Sequence, residues 1–204
     1  DISTAINRLG PGIVRNSAMS FAMKQIREGQ KLQAAQTYLK VVWNEGVTVA
    51  ALCYVLAKRF TKINPDEALL VGLLHGIGKL YILAKAEDHP ELFYSEEVLY
   101  DLLQEWHPGI GSAILESLGF SDAIASAVGN YQDVTRKHEG DADFTDLLMI
   151  AHLVSGLLNE EEDFELQLDA IPASRYFTTS VEDFFEVLQE SAEHLSSLKQ
   201  ALGN

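Results

Sequence analysis

The feature that most constrains the chain is a short uncharged run, Ala68-Leu69-Leu70-Val71-Gly72-Leu73-Leu74, followed at once by His75-Gly76-Ile77-Gly78-Lys79-Leu80. A helix that is apolar all the way round has to be surrounded by other elements, so the run predicts a buried central helix. Asn64-Pro65-Asp66-Glu67 marks its start: Asn64 caps, Pro65 suits the first turn, and Glu67 completes an Asn-x-x-Glu variant of the capping box. At the far end, Gly76 and Gly78 offer the left-handed conformations that terminate a helix, and Lys79 suits the negative end of its dipole. His75 is then expected at the rim of a buried helix, where a pocket can form. A short helix resumes at Lys79 and runs towards Asp88-His89-Pro90.

The remaining pattern is helical throughout. Leu32, Ala35, Leu39, Val42, Trp43, Val49, Leu52, Val55 and Leu56 recur at steps of three and four, with Gly46 as a kink or break. Glu96 to Trp106 carries Val98, Leu99, Leu102, Leu103 and Trp106 on one face. Gly119-Phe120 closes a helix and Ser121 caps the next, from Asp122 to about Gln132. Residues 133–143 read as a polar loop with His138 in solvent, and Phe144 to Leu158 as another apolar helix. A last amphipathic helix follows Ser180-Val181-Glu182-Asp183, with Phe184, Phe185, Val187, Leu188, Leu195, Leu198 and Leu202 on its core face. No segment alternates with period two, so the fold class is all-α.

At 204 residues the chain is one large domain or two small ones. Its net charge of −15 excludes broad contact with phosphate backbones, which needs clustered Lys and Arg, and disfavours anionic membrane surfaces. It suits instead a protein partner with a basic face. No apolar segment approaches the ~20 residues of a bilayer span. The one cysteine, Cys53, lies among apolar residues and reads as a buried, inert thiol in a reducing cytoplasm. Asp1 is no initiator methionine, so the chain reads as a fragment. Other chemistry finds little support. Gly76-x-Gly78 follows a helix and lacks a third glycine, Gly109-Ile110-Gly111-Ser112 follows no strand, and His89 and His194 have no partner pattern.

Leu-Leu-His-Gly-Ile-Gly-Lys-Leu, residues 73–80, resembles the Leu-Leu-His-Asp-Ile-Gly-Lys core of the HD superfamily of metal-dependent phosphohydrolases, and more closely the HDOD family of bacterial signalling domains. The resemblance runs along essentially the whole chain. It implies an HD-domain-like helical bundle, with residues 1–30 the end of an N-terminal helical subdomain whose opening helices are missing, and residues 31–204 the HDOD core with its C-terminal helix. It also places the family's ligand positions. The first metal-binding histidine falls on Glu45, read as an exposed helix glutamate; the His-Asp pair falls on His75 and Gly76. The histidine that opens a later helix falls on His107, ahead of Pro108. A His-His pair falls on Tyr131-Gln132, and the last ligand on His152.

Only His75 keeps its identity in the ligand set, and glycine at position 76 has no donor to offer. Catalytic residues and cofactors are therefore expected to be absent, with Glu45, His75, Lys79, His107 and His152 as the lining of a candidate pocket. His75 and His107 are expected to hydrogen-bond to backbone carbonyls. The resemblance implies a cytoplasmic, non-enzymatic signal-transduction domain that binds a signalling protein, with no nucleic-acid or membrane partner and with self-association left open. The alternative is a metal-dependent phosphohydrolase acting on a nucleotide or phosphorylated signal, its divalent ion held by Glu45, His75 and His152. A third reading is a small-molecule sensor that holds an acidic ligand near His75 and Lys79.

Overall fold

Asn64 shows how locally the central helix is specified. Its side chain accepts from the backbone N–H of Asp66 at 2.9 Å and of Glu67 at 3.4 Å, and Pro65 follows as the first helical residue. The computed structural model describes residues 33–86, 89, 91, 95–157, 170–177, 186, 187, 189–192 and 196. Expectations for residues 1–30 and for most of the final helix lie outside them.

Within the described residues every regular element is helical: α1 (Gln33–Phe60), α2 (Pro65–Leu74), α3 (Ile77–Ala86), α4 (Glu96–Ser117), α5 (Asp122–Asn130) and α6 (Phe144–Leu157), then a 3-10 helix, Pro172–Phe177. The fold is all-α, as the periodicity predicts. α2 is covered by α1, α5 and α6, and its Ala68, Leu70, Val71, Leu73 and Leu74 are buried. α3 and α4 pack on the other half of α1 around Leu39, Val42, Trp43, Leu80, Leu83, Leu99 and Leu103. The larger core joins α1, α2, α5 and α6 around Leu52, Leu56, Leu74, Val128, Leu147 and Ile150.

Several helix ends and joints depart from the sequence reading. α1 passes through Gly46 without a break; the residue's cost of about 1 kcal/mol relative to alanine is outweighed by the apolar positions on either side. Gly76 and Gly78 do not take left-handed conformations: among the described residues only Gly119 (φ 76°) and Gly140 (φ 100°) have positive φ. α2 instead runs into α3 through His75 in right-handed geometry (φ −58°, ψ −32°), and the new helix begins at Ile77. Gly78 is needed for a close approach, since a Cβ there would stand 2.0 Å from the carbonyl oxygen of His107 on α4. Gly72 does the same for α2, where a Cβ would lie 2.5 Å from Cα of Ala50 on α1.

α4 is continuous from Glu96 to Ser117, so His107 and Pro108 lie inside a helix and do not open one. Proline there removes one ladder bond, to the Gln104 carbonyl, and the helix continues on either side of it. Gly119 ends α4: its N–H donates to Glu116 and that of Phe120 to Leu115, both at 3.0 Å, a Schellman closure. Ser121 stands at the N-cap of α5 without a capping side-chain bond. Asp143 and Asp146 cap α6 reciprocally, with Oδ1 of Asp143 accepting from Thr145 and Asp146, and Oδ2 of Asp146 accepting from the Asp143 N–H.

Contrary to the sequence expectation, two stretches, Gln36–Phe60 and Pro65–Ala86, are long and apolar enough by composition to cross a bilayer. Most of each is buried inside the bundle, and the second is broken at the α2–α3 joint.

Candidate functional site

Where α1, α2, α3, α4 and α6 meet, the bundle buries a polar cluster. α1 brings Glu45, the end of α2 brings His75, α3 brings Lys79, α4 brings His107 and α6 brings His152; Tyr131, just past α5, completes it. His75 and His107 are 1% and 0% exposed, and Lys79 is 5% exposed.

Carbonyl oxygens only accept, so a ring nitrogen bonded to one carries the proton. Nδ1 of His75 donates to the Gly72 carbonyl at 2.6 Å, and Nδ1 of His107 to the Leu103 carbonyl at 2.5 Å. Both carbonyl bonds are as the sequence predicts, but His107 makes its bond inside α4 and not at a helix end. Nε2 of His107 then accepts from the Tyr131 hydroxyl at 2.6 Å. Nε2 of His75 has no such partner and faces Oε1 of Glu45 at 3.9 Å, beyond hydrogen-bonding range. Nδ1 of His152, also buried without a hydrogen bond, lies 3.5 Å from the same oxygen. The Tyr131 ring stands edge-on to His152 at 5.0 Å and to His75 at 5.7 Å.

Glu45 is not the exposed helix glutamate expected. Its carboxylate is mostly buried and takes both oxygens to the Lys79 ammonium, at 3.1 Å and 3.0 Å. Lys79 therefore gives its charge to Glu45, across 34 residues of sequence, and not to the carbonyl end of α2. Burial by itself would raise the Glu45 carboxyl, but His75 and Lys79 outweigh it and hold the group well below the usual carboxylate range. Burial pushes His107 down to about 4, with the Lys79 charge adding to it. Burial, then neighbouring His75, lowers His152 to about 3. Burial also pushes the Tyr131 hydroxyl up, so it stays a donor.

A second polar group lies at the N-terminal end of α6. Nε2 of His138 meets Oδ2 of Asp146 at 2.6 Å, Arg136 bridges Asp143 and Asp146, and Tyr176 stacks on the His138 ring at 5.2 Å. His138 is thus tied down, not free in solvent, because Asp146 is buried and needs the bond. His89 sits at the surface against Glu91. Cys53 is buried, and burial pushes its thiol up, as an inert core cysteine requires.

The donor set tests whether the HD metals fit. Glu45, His75 and His152 bring ligand atoms within 4.8 Å of one another, and two of these are orphaned imidazole nitrogens. Against this, Gly76 supplies no donor, and Lys79 already holds both oxygens of the only carboxylate in the set. The site as folded does not fit the hydrolytic metal centre. His107 adds nothing, since both its nitrogens are engaged. Tyr131 is the member that the sequence does not identify as a partner; its signal is its place at the family's His-His position.

The helical bundle, with its polar cluster at the joint after the central helix, defines the HD class of fold. Within that class the chain belongs to the HDOD family, whose domain model matches residues 1–134. A search of curated proteins finds no match. Among solved structures, the chain is similar to a Shewanella amazonensis protein provisionally named a metal-dependent phosphohydrolase, with a TM-score of 0.69 and 25% identity, over 94% of this chain and 72% of that one.

Proposed function

We propose that the chain is a non-enzymatic output domain of a signalling system, acting in the cytoplasm by binding another protein. The observation that carries this reading is the Lys79 ammonium lodged on both oxygens of Glu45, at the position where the resemblance places a metal-binding histidine. The missing donor at Gly76 points the same way. The acidic surface implied by a net charge of −15 suits a partner with a basic face and argues against nucleic acid. The one cysteine, buried and unpaired, is compatible with a reducing compartment.

The second reading, a metal-dependent phosphohydrolase acting on a nucleotide or phosphorylated signal, draws on the two orphaned imidazole nitrogens and on the name given to the Shewanella amazonensis protein. Turnover separates the two. Protein purified without chelator is assayed on phosphomonoesters and phosphodiesters with added Mn2+, Fe2+, Ni2+ or Zn2+. No metal-dependent hydrolysis above the blank is expected; hydrolysis that saturates with substrate and vanishes in His75→Ala overturns the proposal.

A further inference from the structure

Glu45 is approached from two sides by imidazole nitrogens that lack hydrogen bonds, Nε2 of His75 at 3.9 Å and Nδ1 of His152 at 3.5 Å. With Nδ1 of His75 committed to the Gly72 carbonyl, only Nε2 of that ring is left to face the carboxylate. A mostly buried carboxylate needs a cation beside it. The chain supplies one from its own side chains: Lys79, in the first turn of α3, whose ammonium sits 3.0 Å and 3.1 Å from the two Glu45 oxygens.

We infer that Lys79 is the resident cation of a three-donor cradle, Glu45–His75–His152, and that removing its ammonium converts the cradle into a binding site for a divalent late transition metal such as Co2+, Ni2+ or Zn2+. The inference rests on the proposed function in one respect, that the native cradle is closed to metal.

The geometry is close to what such an ion requires. Tetrahedral bonds of about 2.0–2.1 Å set donors roughly 3.4 Å apart; the 3.5 Å and 3.9 Å separations from Glu45 need shifts of a few tenths of an ångström, and all three donors lie within 4.8 Å of one another. The hydrogen bond from the far nitrogen of His75 to a backbone carbonyl is the support that fixes a metal-binding imidazole in orientation. Two nitrogens and one carboxylate favour late transition metals over Mg2+ or Ca2+. What bars them is charge, since a divalent ion would have to share the carboxylate with an ammonium a few ångströms away.

The test is a Co2+ titration followed by visible absorption and by thermal melting, on the native chain, Lys79→Met, and Lys79→Met combined with Glu45→Gln. Methionine keeps the buried stem and drops the charge. The native chain should show no cobalt bands and no change in melting. Lys79→Met should bind on the order of 100-fold tighter or more, as removal of a like charge at that distance implies, and its melting temperature should rise with Co2+ or Zn2+. The double variant should lose both responses. Lys79→Met leaves a buried carboxylate unpaired, so it is also refolded with Zn2+ present throughout, where folding should be recovered.

Four results overturn the inference: native protein that binds as tightly as the variant, a folded variant that ignores metal, a variant that stays unfolded with Zn2+, and a double variant that still binds. Turnover by the native chain would instead strike the proposed function, whereas these titrations judge Lys79 by metal affinity alone.

Discussion

His75 and His107 solve one problem in the same way. Each donates Nδ1–H to a carbonyl one helical turn back, Gly72 or Leu103, which fixes the tautomer and turns Nε2 inward. For His107 that nitrogen is satisfied by Tyr131, a residue 1% exposed. Tyr131→Phe keeps the ring edge-on to His152 and removes only the hydroxyl, leaving Nε2 buried without a donor. Such a group costs about 1–3 kcal/mol, to be read from the urea midpoint at constant slope. A loss near zero would mean that a water molecule enters and takes the hydroxyl's place.

Helices here are positioned by glycines at their crossings. At Gly78 an added Cβ would lie 2.0 Å from a backbone oxygen and 2.8 Å from a backbone carbon of His107, so α3 and α4 would have to separate. Gly78→Ala is expected to cost about 3 kcal/mol or more. At Gly76, two residues away, the Cβ would meet only Cγ1 of Val42 at 3.3 Å, a side chain that can yield, and Gly76→Ala should stay within about 1 kcal/mol of the parent. Equal losses at the two positions would refute this account of the joint. The contrast also marks what a single sequence conveys. Asn64-Pro65 and Gly119-Phe120 were legible because a cap is written in adjacent residues. The glycines were visible too, but their neighbours were not, and so a close approach was read as a turn. Glu45 lies on α1, 34 residues from Lys79. It reads as an exposed helix glutamate because that is the usual place of such a residue, and nothing local reveals a cation arriving from α3. The resemblance gathered Glu45, His75 and His152 into one place, yet it carried no information about which of them would meet.

The molecule as a whole holds two histidines in uncharged form, and this fixes how its stability responds to acid. Burial lowers His107 to about 4 and His152 to about 3, whereas an unfolded chain titrates both near 6.5. Between those values the unfolded state binds protons that the folded state refuses, so stability falls as pH is lowered from about 7 towards 4. For His107 alone the loss is on the order of 3 kcal/mol. Glu45 does not contribute to the slope in this range: its depressed carboxyl stabilises fully above an unfolded value of ~4.3, and that contribution is lost only as pH falls further. His138 acts in the opposite sense. Its bond to Asp146 raises it, so its contribution is fully present below about 6.5 and fades as pH rises through the folded value. Asp143 and Arg136 face that pair, with Tyr176 stacked on the ring and Arg175 beyond it, and the histidine is partly open to solvent, which limits its weight. Urea titrations at pH 7, 6 and 5 should therefore show a falling midpoint, and His138→Gln should make the fall steeper by removing a histidine that opposes it. A midpoint that holds or rises towards pH 5 would mean that His107 and His152 carry protons in the fold, and a cluster charged in that way could not keep Lys79 at its centre.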